Sequence, residues 1–219
     1  MEKDFVREIA DLYSARFYHL AEIGIVKEMS FEIDSKDFED KYRDLEDVRY
    51  ATPFKMMFEQ LAEVDELPCL YRWEITSSYD AEQIKQTVSQ LPKYTPRVLK
   101  KAVTRENTLY VGKVQQHIVG RVIQHLGYHL NQASHGLQLN DWAKAMNLQL
   151  RLHIIVLPYD VIPVQEIFET ELARKYEPLI GIHLPSKYQN HEKNFYSNGI
   201  SVSNNLCKRT NDPNKNRKD

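Results

Sequence analysis

Four side chains that are cationic or can become so recur every four residues in the middle of the chain: His117, Arg121, His125 and His129. This spacing places side chains on one face of an α-helix. The guanidinium of Arg121 offers a planar fork of donors that suits a phosphate, and His125, one turn later, can donate a hydrogen bond or a proton. Because the four lie opposite the apolar positions of the segment, they predict either a phosphate-binding surface or a solvated helix face.

Two tyrosines stand on segments with the composition of strands. Cys69-Leu70-Tyr71 lies in the first segment and Tyr110-Val111-Gly112-Lys113 lies in the second. A tyrosine in a strand usually packs in a core, so neither one indicates a function by itself. A phenol can orient or deprotonate water, but the second role requires nearby positive charge to lower its pKa from about 10. Arg121 and Lys113 could supply that charge.

In combination these segments resemble the GIY-YIG nuclease family. Its two half-motifs fall on Cys69-Leu70-Tyr71 and Tyr110-Val111-Gly112, its arginine on Arg121 and the following histidine on His125. Glu169 is similar to the metal-binding glutamate of the family, because the apolar pair Leu172-Ala173 and then Pro178 follow it. The resemblance covers residues 68–181, and its specificity comes from the order and spacing of short elements.

The resemblance implies a DNA endonuclease that hydrolyses phosphodiester bonds in double-stranded DNA. A divalent cation, Mg²⁺ or Mn²⁺, would bind Glu169, and one protein carboxylate suffices when water and substrate oxygens complete the coordination. Tyr71 or Tyr110 would orient or deprotonate the attacking water, while Arg121 and His125 would act on the phosphate. The implied fold is α/β (α+β), with a small three-stranded antiparallel sheet flanked by helices.

Three features depart from the family pattern. Cys69 stands where glycine is frequent, 38 residues separate Tyr71 from Tyr110, and Gly181 stands in the region where the family commonly has asparagine. Asn190 is a possible substitute for that asparagine. These departures leave a second hypothesis open, a catalytically inactive protein that binds nucleic acid through a nuclease fold. A third hypothesis is a protein-interaction domain whose acidic N-terminal part binds a basic partner.

Hydrophobic periodicity predicts the elements that must position these residues. Apolar steps of three and four predict four main helices, over 4–20, 53–63, 118–126 and from after Pro163 to Tyr176. Shorter helices are predicted around 84–91 and 140–146. Bulky and alternating residues predict three strands, over 67–75, 108–111 and 148–156. The charged segment 35–47 could be a short helix or a loop.

Charge is distributed unevenly along the chain. Residues 1–66 carry 9 Lys and Arg against 18 Asp and Glu, whereas residues 67–219 carry 20 against 13. We therefore expect an acidic helical N-terminal extension at 1–66, a nuclease-like domain at 67–190 with an insertion at 76–107, and a basic, disordered tail at 191–219. The insertion contains Lys93, Arg97, Lys100 and Lys101. Basic segments favour a polyanionic partner and, with the resemblance, a restriction- or defence-type enzyme with its own DNA contacts.

Composition excludes several other classes of protein. With 42% hydrophobic residues the chain is neither disordered nor collagen-like as a whole. Its longest apolar runs, such as Ile154–Leu157, are far shorter than the roughly 20 residues of a membrane span, and Met1-Glu-Lys-Asp begins no signal peptide, so a cytoplasmic location is expected. Cys69 and Cys207 form neither a disulfide framework nor a zinc site. A homodimer and a monomer that cuts the two strands in turn are both compatible with the sequence.

Overall fold

A four-stranded antiparallel sheet forms the centre of the molecule. The structure, a computed structural model, describes residues 2–91, 107–129 and 136–181. The strands are β1 (Lys27–Asp34), β2 (Cys69–Ile75), β3 (Thr108–Val114) and β4 (Gln149–Val156). They lie side by side in the order β1-β4-β2-β3. The mixed class with an antiparallel sheet flanked by helices is therefore confirmed, and the predicted number of three strands is wrong by one.

Helices lie before, between and after the strands. Within the described residues they are α1 (Glu2–Ile23), α2 (Lys41–Asp44), α3 (Lys55–Ala62), α4 (Ala81–Ser89), α5 (Ile118–Leu126), α6 (Leu139–Trp142) and α7 (Gln165–Tyr176). The four main helices and both short ones are confirmed in type. The charged segment 35–47, predicted as either a short helix or a loop, contains a 3-10 turn and α2. None of the described helices has the length and apolar character needed to cross a bilayer.

The additional strand, β1, comes from the acidic segment that was expected to be helical. Met29, Phe31 and Ile33 alternate with polar residues, which is the pattern of a strand with one buried face. β1 pairs with β4 along its whole length, from Lys27 opposite Val156 to Asp34 opposite Gln149. Segment 1–66 therefore supplies a strand of the sheet as well as helices. The tail at 191–219, the four basic residues of the insertion, Asn190 and Cys207 lie outside the described residues.

The two faces of the sheet differ because successive side chains of a strand point to opposite sides. One face, here called the core face, carries Tyr71 and Trp73 and belongs to the large apolar core that also contains α3, α5 and α6. The other face, here called the charged face, has a small apolar cluster around Leu70 that includes residues of α1 and is packed against by residues of α7. Beside that cluster it carries Arg72 and Glu74 of β2 together with residues of β4. The sheet thus separates a mainly apolar region from a strongly charged one.

Candidate active site

Tyr71 and Tyr110 extend from the core face of neighbouring strands. Tyr71 lies opposite Gly112 of β3, and Trp73 lies opposite Tyr110, so both phenol rings leave the sheet on the same side. Their ring centroids are 6.1 Å apart. A Cβ atom on residue 112 would lie 2.6 Å from Tyr71 Cζ and 2.8 Å from Tyr110 Cε1. Glycine at position 112 therefore provides the space that both rings occupy.

Helix α5 brings Arg121 and His125 to the two tyrosines. Arg121 Nε donates to the Tyr71 hydroxyl at 2.8 Å, and a terminal nitrogen of the same guanidinium donates to the Tyr110 hydroxyl at 3.4 Å. His125 Nε2 lies 3.0 Å from the Tyr71 hydroxyl. Four residues assigned to one site from the sequence are thus in contact, and we call Tyr71, Tyr110, Arg121 and His125 the tyrosine–arginine cluster.

The face of α5 that carries Arg121 and His125 points toward the sheet, so the expected position of these residues opposite the apolar side chains is wrong. His125 is completely buried and Arg121 is partly buried. The nine-residue helix is packed on several sides, which leaves it no broad solvated face. His117 is the exposed residue before the first turn, with φ +67°, and His129 follows the end of the helix. Neither of these two histidines belongs to the cluster.

Hydrogen bonds determine the protonation state of His125. Its Nδ1 accepts a hydrogen bond from the backbone N–H of Leu137 at 3.2 Å, so we assign the proton of the neutral ring to Nε2, which donates to Tyr71. Burial lowers the pKa of His125 well below its ordinary value of 6.5, and the charge of Arg121 lowers it further. His125 is therefore a neutral donor that orients Tyr71, and it does not provide a proton at neutral pH.

The two tyrosines have different environments. Tyr71 is 1% exposed, and its hydroxyl oxygen accepts hydrogen bonds from Arg121 and His125. In both bonds the phenol is the acceptor, so neither bond involves the phenolic proton of Tyr71. Burial raises the pKa of Tyr71, although Arg121 acts in the opposite direction. Tyr110 is only partly buried. Tyr71 is thus a buried anchor for the guanidinium, and Tyr110 is the phenol that water or a substrate can reach.

Arg121 is a partly buried cation that contacts no carboxylate in the described part of the chain. Its hydrogen-bond partners are the two phenols and the side-chain amide of Gln124, which accepts at 2.9 Å. All three partners are neutral, whereas a buried charge normally has a partner of opposite sign. The guanidinium keeps its charge at any ordinary pH, and its planar donors match phosphate oxygens. The cluster is therefore suited to binding an anion.

Glu169 of α7 reaches the edge of β3, where it pairs with Lys113, a residue on the same face of the sheet as Leu70. The Glu169 carboxylate lies 3.4 Å from the Lys113 ammonium. Burial raises the pKa of Glu169 above its ordinary value of 4.5, and Lys113 opposes that shift. The charge of Glu169 is also among those that raise the pKa of Tyr71.

Glu169 is the carboxylate to which the sequence assigned a divalent cation. The Lys113 ammonium lies 3.4 Å from Glu169 and 3.6 Å from Glu166, so a divalent cation would have to displace this lysine from the two carboxylates. The Glu169 side chain is 29% exposed, which leaves an open side for water and substrate oxygens. Mg²⁺ commonly binds proteins through one or two carboxylates and keeps several waters. Glu169, with Glu166 nearby, would hold Mg²⁺ or Mn²⁺.

A second group of possible metal ligands, Asp65, Glu66 and His117, has a structural explanation. Their ligand atoms lie within 4.8 Å of one another. However, the Asp65 carboxylate accepts a hydrogen bond from the backbone N–H of Val119 at 2.8 Å, and its carbonyl accepts one from His117. Asp65 therefore satisfies free donors in the first turn of α5, and we assign no metal to this group.

Gln165 is a positioning residue that sequence reasoning missed. It is buried at the start of α7, where its side-chain amide donates to the carbonyl oxygens of Cys69 at 3.0 Å and Val114 at 2.9 Å. These bonds attach α7 to the ends of β2 and β3, one turn before Glu169. The sequence contains no signal for this role, because a glutamine in the first turn of a helix is usually solvated.

Gly181 lies next to Tyr110. After α7 the chain runs along β3, with backbone hydrogen bonds from Leu179 to Thr108 and from Ile180 to Leu109. This brings residue 181, at φ +139°, to a position where a Cβ atom would be 3.8 Å from the Tyr110 ring. The residue that departs from the family pattern thus adjoins the candidate site and contributes no side chain to it.

Comparisons of the chain with protein-family models, with curated proteins and with solved structures found no match.

Proposed function

We propose that the protein is a divalent-metal-dependent endonuclease that hydrolyses phosphodiester bonds of double-stranded DNA and acts in restriction or defence. The observation that carries the proposal is the partly buried guanidinium of Arg121, which lies between two phenols without a carboxylate partner in the described residues. A phosphate would supply the missing negative charge. The resemblance of the motifs around Tyr71, Tyr110 and Glu169 to those of GIY-YIG nucleases supports the choice of a phosphodiester.

The proposed residues have separate tasks in hydrolysis. Arg121 binds the phosphoryl oxygens and stabilises the charge that develops on them in the transition state. Tyr110 accepts a hydrogen bond from the attacking water and orients its oxygen toward phosphorus. As the new bond to phosphorus forms, the bond to the sugar oxygen breaks; the water loses one proton and the leaving oxygen gains one. Tyr71 and His125 hold the guanidinium in place. A divalent cation bound at Glu169 would stabilise charge on the phosphate and the leaving oxygen.

The restriction or defence role rests on the distribution of charge. The part of the chain after residue 66 has a formal excess of seven positive charges. Lysines and arginines bind DNA by releasing condensed counterions, and they do so without reference to sequence. A small nuclease that carries such residues can bind its own substrate. A nuclease with a role in repair or in a mobile element would need the same chemistry at the site, so the site itself does not distinguish these roles from restriction or defence.

A catalytically inactive DNA-binding protein is the second candidate, and two observations favour it. Gly181 provides no side chain beside Tyr110, where the resembling family commonly has asparagine. Lys113 forms an ion pair with Glu169, which neutralises the only carboxylate assigned to the metal. Arg121 would then bind a phosphate of the DNA backbone without cleavage. This candidate predicts salt-sensitive DNA binding and no product.

The first experiment is a cleavage assay on supercoiled and linear DNA, methylated and unmethylated, with Mg²⁺ or a chelator. We expect fragments or nicks only with the metal, and a loss of at least about a thousandfold in Glu169→Ala with unchanged thermal unfolding. The matched control is Glu171→Ala, since Glu171 is exposed on the same helix and pairs only with Arg174 in the described residues. Metal-dependent cleavage retained by Glu169→Ala would overturn the metal assignment. DNA binding by wild-type protein without product would favour the second candidate.

A further inference from the structure

A cleft lies on the charged face of the sheet, and Tyr71, whose side chain belongs to the tyrosine–arginine cluster on the core face, is among its lining residues. It opens between β1, β4, β2 and α7 and has a volume of about 260 Å³, which is slightly below the range of about 300–1,000 Å³ typical of small-ligand sites but large enough for a single flat ring. Side chains that face it come from Glu28 and Ser30 of β1, Arg72 of β2, His153 of β4 and Tyr176 of α7. The proposed cleavage chemistry uses none of them.

The floor of the cleft is held in place by ion pairs and stacking. The Glu74 carboxylate lies 3.3 Å from the Arg72 guanidinium and 2.7 Å from His153 Nε2. The guanidinium of Arg72 in turn lies over the ring of Tyr176, 4.3 Å from its centroid. The Arg72 and Glu74 side chains are only 12% and 18% exposed. Because these groups fix one another, the cleft has its shape before any ligand arrives, which reduces the entropy lost on binding.

One side of the cleft offers hydrogen-bond acceptors. In the described part of the chain the side chains of Glu28 and Ser30 have no hydrogen-bond or ion-pair partner, so both are available to a ligand. His153 uses Nε2 toward Glu74, and its Nδ1 is an acceptor when the ring is neutral. Ile155 lies next to Glu28 on the sheet, and the other side is lined by Leu172 and by Tyr176, whose ring contacts the Arg72 guanidinium and the Lys175 ammonium. A flat ring with N–H groups along one edge would match both sides.

We propose that this cleft binds a nucleobase that carries an exocyclic amine. The exocyclic amine of such a base donates to the acceptors on β1 and β4, while the base packs against Leu172 and the edge of the Tyr176 ring. Guanine fits best, because its adjacent ring N–H and amine can donate in parallel to the two oxygens of the Glu28 carboxylate. Uracil has no amine and fits worst. A free nucleotide and an unpaired base in a DNA strand present the same group.

Calorimetric titration of the full-length protein with GMP, AMP, CMP and UMP tests the proposal. GMP should bind most tightly and UMP most weakly. Glu28→Gln, which replaces an acceptor oxygen by a donor, should weaken GMP binding by about tenfold or more. The matched control is Glu32→Gln, because Glu32 is exposed on the same strand and face and pairs with Arg151 outside the cleft. Both positions are exposed, so thermal unfolding should stay near that of the wild type.

A short single-stranded oligonucleotide distinguishes the two sources of the base. Binding of mononucleotides assigns the cleft to a free nucleotide, whereas binding of the oligonucleotide alone, weakened by Glu28→Gln, assigns it to a base within a strand. Equal affinity for GMP and UMP, equal effects of Glu28→Gln and Glu32→Gln, or no binding of either kind of ligand would overturn the proposal. Glu169→Ala should bind these ligands as the wild type does, so the proposed cleavage function can fail independently.

Discussion

Two arginines on opposite faces of the sheet have opposite electrostatic surroundings. Arg72 on the charged face pairs with Glu74 and stacks on Tyr176. Arg121 on the core face contacts Tyr71, Tyr110 and Gln124, which are all neutral. A partly buried charge without a counterion costs free energy, so the environment of Arg121 is poor for stability and favourable for an incoming anion. The difference teaches that Arg72 has its counterion within the fold, whereas Arg121 has none among the described residues, which is why we propose Arg121 for a phosphate site.

The largest expected effect comes from one methyl group added on the core face. In Gly112→Ala the new Cβ overlaps both phenol rings, so the rings must shift and Arg121 loses its position. We expect a loss of about 1–3 kcal/mol in the free energy of unfolding and loss of DNA cleavage. Urea denaturation and the cleavage assay measure the two effects.

Gly120→Ala is the matched control for that substitution. Gly120 lies in α5, and nothing is within 4 Å of a Cβ atom built there. Alanine in a helix is favoured over glycine by about 0.5–1 kcal/mol, so this variant should be slightly more stable and fully active. If Gly112→Ala behaved in the same way, the close packing of the two tyrosines at position 112 would be refuted.

Removal of one hydroxyl group should have different effects on stability and cleavage at the two tyrosines of the core face. Tyr71→Phe takes the acceptor from both Arg121 and His125, which should lower the free energy of unfolding by about 1–3 kcal/mol. Tyr110→Phe removes one long hydrogen bond of 3.4 Å and should cost less than about 1 kcal/mol, yet lower cleavage strongly. Denaturation and single-turnover cleavage of both variants provide the measurements. Full activity of Tyr110→Phe would exclude this residue as the group that orients water.

A smaller effect is expected from acid, and it acts on the core face through His125. The folded-state pKa of His125 lies well below 6.5, near which the unfolded chain titrates. Below about pH 6.5 the unfolded state binds a proton that the folded state does not, so the free energy of unfolding falls by up to about 1.4 kcal/mol per pH unit. Above about pH 6.5, His125 does not contribute to the pH dependence of the free energy of unfolding. Glu169 acts in the opposite direction, because its raised pKa lets the folded state bind more protons above 4.5.

Urea denaturation between about pH 5.5 and 7.5 isolates the contribution of His125. His125→Gln should lose the part of the slope below pH 6.5 even where its overall stability is reduced. An unchanged slope in His125→Gln would show that the buried histidine is not the group that responds to acid.

Local patterns were sufficient to predict most of the fold. Apolar steps of three and four identified α1, α3, α5 and α7, and strict alternation identified β4. The same alternation is present in β1, where Met29, Phe31 and Ile33 face the core, but no strand was predicted there because residues 1–66 as a whole were assigned to a helical extension. The predicted number of strands was wrong for that reason. β1 and β4 are separated by about 120 residues of sequence, so their pairing could not be predicted from either segment alone.

The sequence predicted which four side chains lie together, but it did not predict how they are arranged or how deeply they are buried. The motifs indicated Tyr71, Tyr110, Arg121 and His125, and these side chains are in contact. Their burial depends on how α5 packs, which its own sequence does not encode. The role of Gln165 depends on carbonyl groups up to 96 residues away, and the position of Gly181 depends on backbone pairing with β3. Contacts of this kind produce no periodic pattern in the sequence.

Paired substitutions at Arg121 and Arg72 test the phosphate-site assignment most directly. Arg121→Met should change the free energy of unfolding by less than about 1 kcal/mol, since it removes an uncompensated charge, and should lower metal-dependent DNA cleavage at least about a hundredfold. Arg72→Met should lower the free energy of unfolding by about 1–3 kcal/mol and leave cleavage by the folded protein near the wild-type rate. An Arg121→Met protein that is as destabilised as Arg72→Met and still cleaves DNA would show that Arg121 is structural and would contradict the assignment.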